Sequence, residues 1–236
     1  MAVRISSLDS LRGLAIFFMM IDHFFGIVLL STIEPFNVRF FMRIAEPLFA
    51  ILLGYLLVGR SMENLKKRFF EIAGAALFVN AFFFPILGKF EILASFIVCY
   101  LLFMILQEKF VFLLPLILLL PIDPSSLFFD FPISLVVSQI ALGMLFRERK
   151  NIPVAISFFL FVLSFIFAPS EYKFIPLFTI LAVLFVEFAQ NNEKIRVPIL
   201  EEMGKRPLAS YIIQYVIIVL IALVWFYTSG KNIPIS

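Results

Sequence analysis

The chain has 236 residues, of which 63% are hydrophobic, 15% are charged and 33 are phenylalanine. A soluble domain is usually only about half apolar, so this composition excludes an ordinary soluble enzyme and predicts an integral membrane protein. The net charge of +3 is small and spread along the chain, which argues against nucleic acid as a partner.

Apolar runs of nearly the length that crosses a bilayer, about 20 residues, recur along the whole chain. They predict an all-α bundle of nine transmembrane helices, within a range of eight to ten, that forms one domain over residues 1–236. The predicted spans are 13–31, 44–59, 69–87, 90–106, 110–122, 127–146, 152–169, 174–189 and 207–227. The run 110–122 is the shortest and contains two prolines, so a tilted or re-entrant segment is the alternative there.

The basic residues predict the orientation of these helices. If the N-terminus is cytoplasmic, most of the 19 Lys and Arg residues fall on the cytoplasmic side, as the positive-inside rule requires. The predicted external cations are then Arg39, Arg43, Lys89, Lys173 and Lys231. An odd number of helices preserves this alternation, and we expect the cell membrane as the location. The oligomeric state stays open.

The first apolar run, "LRGLAIFFMMIDHFFG", contains Arg12, Asp22 and the only histidine of the chain, His23. On a helix, Arg12 and His23 lie within about 20° of each other and about 16 Å apart along the axis, on a stripe that begins at Asp9. Gly26 leaves room one turn beyond the imidazole. A charged group at membrane depth costs a few kcal/mol, so we expect these residues to face a cavity rather than only to hold two helices together.

Other polar residues in apolar runs are candidates for the wall of such a cavity, with hydrogen bonding between helices as the alternative role. Tyr211, Gln214 and Tyr215 share one helix face by their spacing. The full set of predicted cavity-lining residues is Asp9, Glu46, Tyr55, Asn80, Tyr211, Gln214 and Tyr215.

A basic run, "GRSMENLKKRFF", lies on the predicted cytoplasmic side. Arg60, Lys66, Lys67 and Arg68 in this run serve either to orient the chain on anionic lipid or to bind the phosphates of a ligand.

The opening "RISSLDSLRGLAIFFMMIDHF" resembles the start of the transmembrane acyltransferase superfamily, which includes the membrane acyltransferase-three type and the heparan-α-glucosaminide N-acetyltransferase type. The acyltransferase-three pattern of arginine, ten residues and histidine matches Arg12 and His23. "PLFAILLGYLLVGRSMENLKKRFFEI" is similar to the second helix of that family and its basic loop, and "EEMGKRPLASYIIQYVII" to a late Gly-(Lys/Arg)-x-x-Leu-x-x-Tyr helix. An Arg-x-x-Arg motif in the basic loop is replaced here by Lys66, Lys67 and Arg68.

The resemblance implies transfer of an acyl group, most simply acetyl, from cytoplasmic acyl-CoA to a hydroxyl or amino group of a sugar or lipid-linked glycan. His23 would act as a general base or carry the acyl group itself, with Asp22 in support. Arg12, together with the basic run, would bind the phosphates of CoA. We expect no metal, because a single histidine without a cysteine cluster makes a poor site.

Two other functions fit the composition. A proton-coupled small-molecule transporter or flippase would use Asp22 and His23 as a proton relay. A non-catalytic membrane scaffold would bind no acyl-CoA.

Overall fold

The computed structural model describes residues 5–34, 36–148, 152–168, 172 and 174–229. Apart from one β-bridge between Phe90 and Phe129, these residues form helices and the connections between them. The α-helices are α1 (Ser6–His23), α2 (Val38–Met42), α3 (Ala45–Leu57), α4 (Met62–Leu87), α5 (Ile92–Leu106), α6 (Ile133–Glu148), α7 (Ile152–Phe167), α8 (Ile175–Asn191), α9 (Pro198–Lys205) and α10 (Pro207–Ser229). The prediction of an all-α fold is confirmed for the described part of the chain.

Five helical stretches among the described residues are long and apolar enough to cross a membrane: Ser6–Val28, Val38–Leu57, Met62–Pro85, Ile92–Ile122 and Pro207–Ser229. Three shorter apolar helices, Ile133–Arg147, Val154–Phe167 and Ile175–Asn191, accompany them. These stretches indicate a membrane protein, while the number of nine spans stays a prediction. Of the cations used to predict the orientation, five lie outside the described residues: Arg4, Arg149, Lys150, Lys173 and Lys231.

The chain forms two compact units, which we name by their position in the sequence. The terminal unit combines Met1–Leu48 with Leu184–Ser236, and the central unit is Phe49–Val183. The prediction of one domain over residues 1–236 stays a prediction.

In the terminal unit, α1 packs against α9 and α10. The crossing with α9 is close because both helices present a glycine. A Cβ atom on Gly13 would lie 2.6 Å from the carbonyl carbon of Leu200, and one on Gly204 would lie 2.6 Å from that of Asp9. Proline starts both late helices, since Pro198 and Pro207 occupy first-turn positions that need no backbone donor.

In the central unit, α3 and α6 cross in the same manner. A Cβ atom on Gly54 would lie 2.8 Å from the carbonyl carbon of Ile140, and one on Gly143 would lie 2.9 Å from that of Ile51. Gly54 belongs to the Gly-Tyr pair of the second predicted span, so the helix crossing explains this glycine by packing.

The helix α4 is longer than its predicted span, 69–87. It begins at Met62, because the Ser61 side chain accepts a hydrogen bond from the Asn64 amide and caps the first turn. Gly88, with a φ of 67°, ends it. The prediction of a basic loop was therefore wrong for Lys66, Lys67 and Arg68, which lie on the helix.

The predicted span 110–122 is not an α-helix. It lies within a 3₁₀ segment, Gln107–Ile122, that follows α5 after a break at Gln107, whose φ is 52°. Pro115 and Pro121 lie in this segment and cannot donate the backbone hydrogen bonds of an α-helix.

Asp123 closes the 3₁₀ segment and holds the start of α6 in place. Its carboxylate accepts hydrogen bonds from the backbone amides of Ser125, at 2.8 Å, and Ser134, at 2.9 Å. Burial by itself raises the pKa of Asp123, but the hydrogen bonds from the two serines outweigh it and lower the pKa below the usual 3.8.

Candidate functional site

His23 lies in the terminal unit, in a niche formed by α1 and α10. It is the last residue of α1, it is only 9% exposed, and a π-helical turn, Phe24–Val28, follows it directly. Its ring meets the rings of Tyr211 and Tyr215 edge-on, with centroid distances of 6.3 and 5.2 Å. The only imidazole of the chain therefore packs against two phenol rings.

The buried face of α10 also carries Gln214, between the two tyrosines. Its side chain is 3% exposed, and neither its amide nitrogen nor its amide oxygen has a hydrogen-bond partner among the described residues. A buried amide without partners costs free energy, since water bonds both atoms in the unfolded chain. The predicted common face of Tyr211, Gln214 and Tyr215 thus lies beside His23.

Asp22 forms an ion pair with Arg39. The Arg39 Nε atom donates to Asp22 Oδ1 at 3.0 Å, and its Nη1 atom donates to the carbonyl oxygen of Ser31. The guanidinium lies over Gly26, where a Cβ atom would come within 2.9 Å of Arg39 Cζ. The space that Gly26 leaves is thus filled by Arg39.

Arg39 is the residue near Asp22 and His23 that the sequence did not identify as part of the site. From the sequence, Arg39 was predicted only to be a cation on the external side. It precedes α3 by six residues and follows Asp22 by 17, so no helical periodicity connects the two. The available signal was an unpaired aspartate in an apolar run, which needs a cation from elsewhere in the chain.

At the other end of α1, Arg12 forms an ion pair with Asp9, one turn earlier. The Asp9 side chain is almost fully buried, at 1% exposure. The Gly13–Gly204 crossing with α9 lies at the same level. Arg12 and His23 lie about 16 Å apart along α1.

The helix α9 carries its own charged group at this end. Lys205 lies 3.1 Å from Glu201 and 3.3 Å from Glu202. The hydrogen bond to Glu201 has the largest effect on the pKa of Lys205 and raises it above its usual value. The hydrogen bond to Glu202 adds to this increase. Lys205 therefore stays positively charged throughout the physiological pH range.

Three further residues were predicted to line the cavity, namely Glu46, Tyr55 and Asn80. Glu46 is buried in the first turn of α3, within the terminal unit. The others lie in the central unit. There, Tyr55 stacks under the Arg147 guanidinium at 5.2 Å, and Asn80 donates to the Ala76 carbonyl and accepts from the Glu91 amide.

The basic run of the central unit is mostly exposed. Arg60 donates to the carbonyl oxygen of Leu56 at 2.7 Å, and Arg68 pairs with Glu71 at 2.7 Å. Lys66 and Lys67 point their charges outward from α4. In the described residues no three His, Cys, Asp or Glu side chains gather as a metal site.

No family model, curated protein or solved structure matches this chain. The resemblance to the transmembrane acyltransferases therefore stays a prediction. The site offers a buried imidazole, two phenols and an amide that is free to bind a ligand. These groups are suited to binding a small polar ligand and moving a proton.

Proposed function

We propose that this protein is an acyltransferase of the cell membrane that moves an acyl group, most simply acetyl, from acyl-CoA to a hydroxyl or amino group of a sugar or lipid-linked glycan. The observation that carries the proposal is the His23 niche: the only imidazole of the chain is buried and packs against both Tyr211 and Tyr215. The motifs at Arg12 and His23 support the same activity by resemblance.

The reaction needs one group that accepts a proton and returns it. The acceptor oxygen or nitrogen attacks the thioester carbonyl while His23 removes its proton. The carbon–sulfur bond then breaks, and the leaving thiolate of CoA takes the proton from the imidazolium. In the alternative order, a nitrogen of His23 attacks the thioester carbonyl, the carbon–sulfur bond breaks, and the leaving CoA thiolate takes the proton from the other ring nitrogen. The acceptor then attacks the acyl-imidazole, the carbon–nitrogen bond breaks, and the released imidazole takes the proton of the acceptor.

Two ion pairs lie along α1, one next to the niche and one at the opposite end of the helix. Asp22 and Arg39 pair next to His23, and we assign them to positioning the imidazole and the turn that follows it. Arg12 has a different role. It would bind the CoA phosphates, because the distance of about 16 Å to His23 is roughly the length of a pantetheine arm. For Arg60, Lys66, Lys67 and Arg68, which lie in the central unit, a phosphate-binding role stays a prediction from the sequence.

The proposed orientation follows from the nine-helix prediction with a cytoplasmic N-terminus. Arg12 then lies near the cytoplasmic end of α1, where acyl-CoA is available, and His23 lies deeper in the membrane. The acceptor would approach from the outside.

The test uses the purified protein in lipid nanodiscs and radiolabelled acetyl-CoA with a panel of sugar and glycolipid acceptors. We expect His23→Ala to fold and to lose transfer to every acceptor that the wild type modifies. The matched control is Phe226→Ala, which removes a buried ring from the same face of α10 further along the helix. It should lower stability and leave transfer measurable.

Transfer by His23→Ala at the wild-type rate would exclude His23 as base or carrier. A wild type that binds no acetyl-CoA or CoA would refute the acyltransferase itself. Proton-coupled uptake into vesicles, lost in Asp22→Asn, would then favour the transporter.

A further inference from the structure

Gln214 is a buried polar residue for which the reaction above has no use. It is 3% exposed, and both polar atoms of its amide lack a hydrogen-bond partner among the described residues. A buried amide normally has partners, so each exception calls for an explanation, such as a bound molecule. The location beside the His23 niche makes a ligand the natural occupant.

The helix geometry places this amide at the edge of the niche. Positions 211, 214 and 215 share the buried face of α10, and the rings at 211 and 215 both contact the imidazole. The Gln214 side chain leaves this same face, nearly one turn after Tyr211 and directly before Tyr215. A molecule bound against the imidazole and the two phenol rings therefore lies beside the stretch of α10 that carries the amide.

The chemistry of the amide selects the kind of group that it binds. A carboxamide offers N–H donors and a carbonyl acceptor, and it carries no net charge. Its best partner is a neutral group that both accepts and donates, such as a hydroxyl or a secondary amide. An ion would gain nothing comparable here and would lose its hydration.

We infer that Gln214 is a substrate-binding residue, whose amide holds a neutral hydroxyl or secondary amide of a substrate against the His23 niche. This inference rests on the proposed function and names the chemistry that its site recognises. Two substrates carry such groups: the pantetheine arm of CoA has two secondary amides, and a sugar acceptor has hydroxyls.

The experiment compares wild type with Gln214→Met, which keeps the length of the side chain and removes both polar atoms. Gln214→Leu is a second variant, in case one substitution disturbs packing. The matched control is Gln139→Met, in the central unit. Gln139 is equally buried but donates to the Thr179 hydroxyl at 3.0 Å.

Each protein is titrated with pantetheine and, separately, with methyl glucoside while its thermal unfolding in nanodiscs is followed. We expect the Gln214 variants without ligand to be at least as stable as wild type, because no hydrogen bond within the protein is lost. We expect the half-saturating concentration of one probe to rise about tenfold in them. Gln139→Met should lose stability and keep the wild-type response to both probes.

The identity of the probe that responds tells which substrate Gln214 holds: pantetheine indicates the donor, and methyl glucoside indicates the acceptor. Equal responses of wild type and the Gln214 variants, or no response of wild type to either probe, would overturn the inference and leave an internal water as the partner. Labelled acetyl transfer, measured on the same samples, reports separately on the proposed function. Acetyl transfer by wild type without any effect of the Gln214 variants on probe binding would overturn only the inference about Gln214. Probe binding that depends on Gln214, without any acetyl transfer, would count only against the proposed function.

Discussion

Substituting alanine for Gly13 tests whether the close crossing of α1 and α9 stabilises the protein. The added Cβ atom would lie 2.6 Å from the carbonyl carbon of Leu200, with the carbonyl oxygen closer still, whereas ordinary contacts begin at 3.4 Å. The helices must therefore separate by about 0.8 Å or more, because the obstacle is backbone that no rotamer change can move.

The magnitude follows from two opposing effects. Overpacking of this kind costs about 1–3 kcal/mol, and here we expect the upper end. Alanine recovers up to about 1 kcal/mol of helix propensity relative to glycine. The net loss is about 2 kcal/mol, which lowers the ratio of folded to unfolded protein about 30-fold.

The assay is reversible unfolding of the detergent-solubilised protein by denaturant, followed by circular dichroism. Gly74→Ala, in α4, is the matched control, since a Cβ atom there would meet nothing within 4 Å. It should gain stability by up to about 1 kcal/mol. Gly204→Ala disturbs the same crossing from the α9 side, so the double variant should lose less than the sum of the two single losses. If Gly13→Ala were as stable as Gly74→Ala, the crossing would not be close. Helix packing would then not explain the glycines at 13 and 204.

Further predictions concern the charged groups. Asp22→Asn and Arg39→Met should each lower stability by about 3 kcal/mol, and a double-mutant cycle by thermal unfolding should show strong coupling. Gly26→Ala, which crowds the Arg39 guanidinium, should weaken that coupling. Arg12→Ala should raise the KM for acetyl-CoA about tenfold in transfer assays, and an unchanged KM would remove its phosphate role. The lowered pKa of Asp123 predicts that wild type is stabilised above pH 3.8 and loses this stability as the pH falls below that value; acid titration of Asp123→Asn should lack the loss.

Helix period and composition predicted the parts of this molecule that depend on local sequence. The all-α fold and the common buried face of Tyr211, Gln214 and Tyr215 follow from residues within a few turns of one another. The start of α4 and the helix type of 110–122 were mispredicted, because a cap at Ser61 and a break at Gln107 depend on single residues that apolar content does not reveal.

The ion pair of Asp22 with Arg39 could not be predicted, because the chain turns between these residues and no periodic signal spans a turn. The contact of Gly13 with α9 could not be predicted from the sequence either. It joins residues almost 190 positions apart, and the motif glycines show only that something small is needed there.

The division of the chain into two units has a consequence for synthesis in the cell. His23 is translated before the whole central unit, whereas its neighbours Tyr211 and Tyr215 are translated after that unit. At about 5–20 residues per second, the ribosome needs roughly 10–40 s to travel between them. During that interval α1 lacks the two tyrosines that pack against its imidazole, although Arg39, the partner of Asp22, has already been translated. The central unit, whose residues are contiguous, is translated in full before Tyr211, so the niche is assembled after the synthesis of that unit.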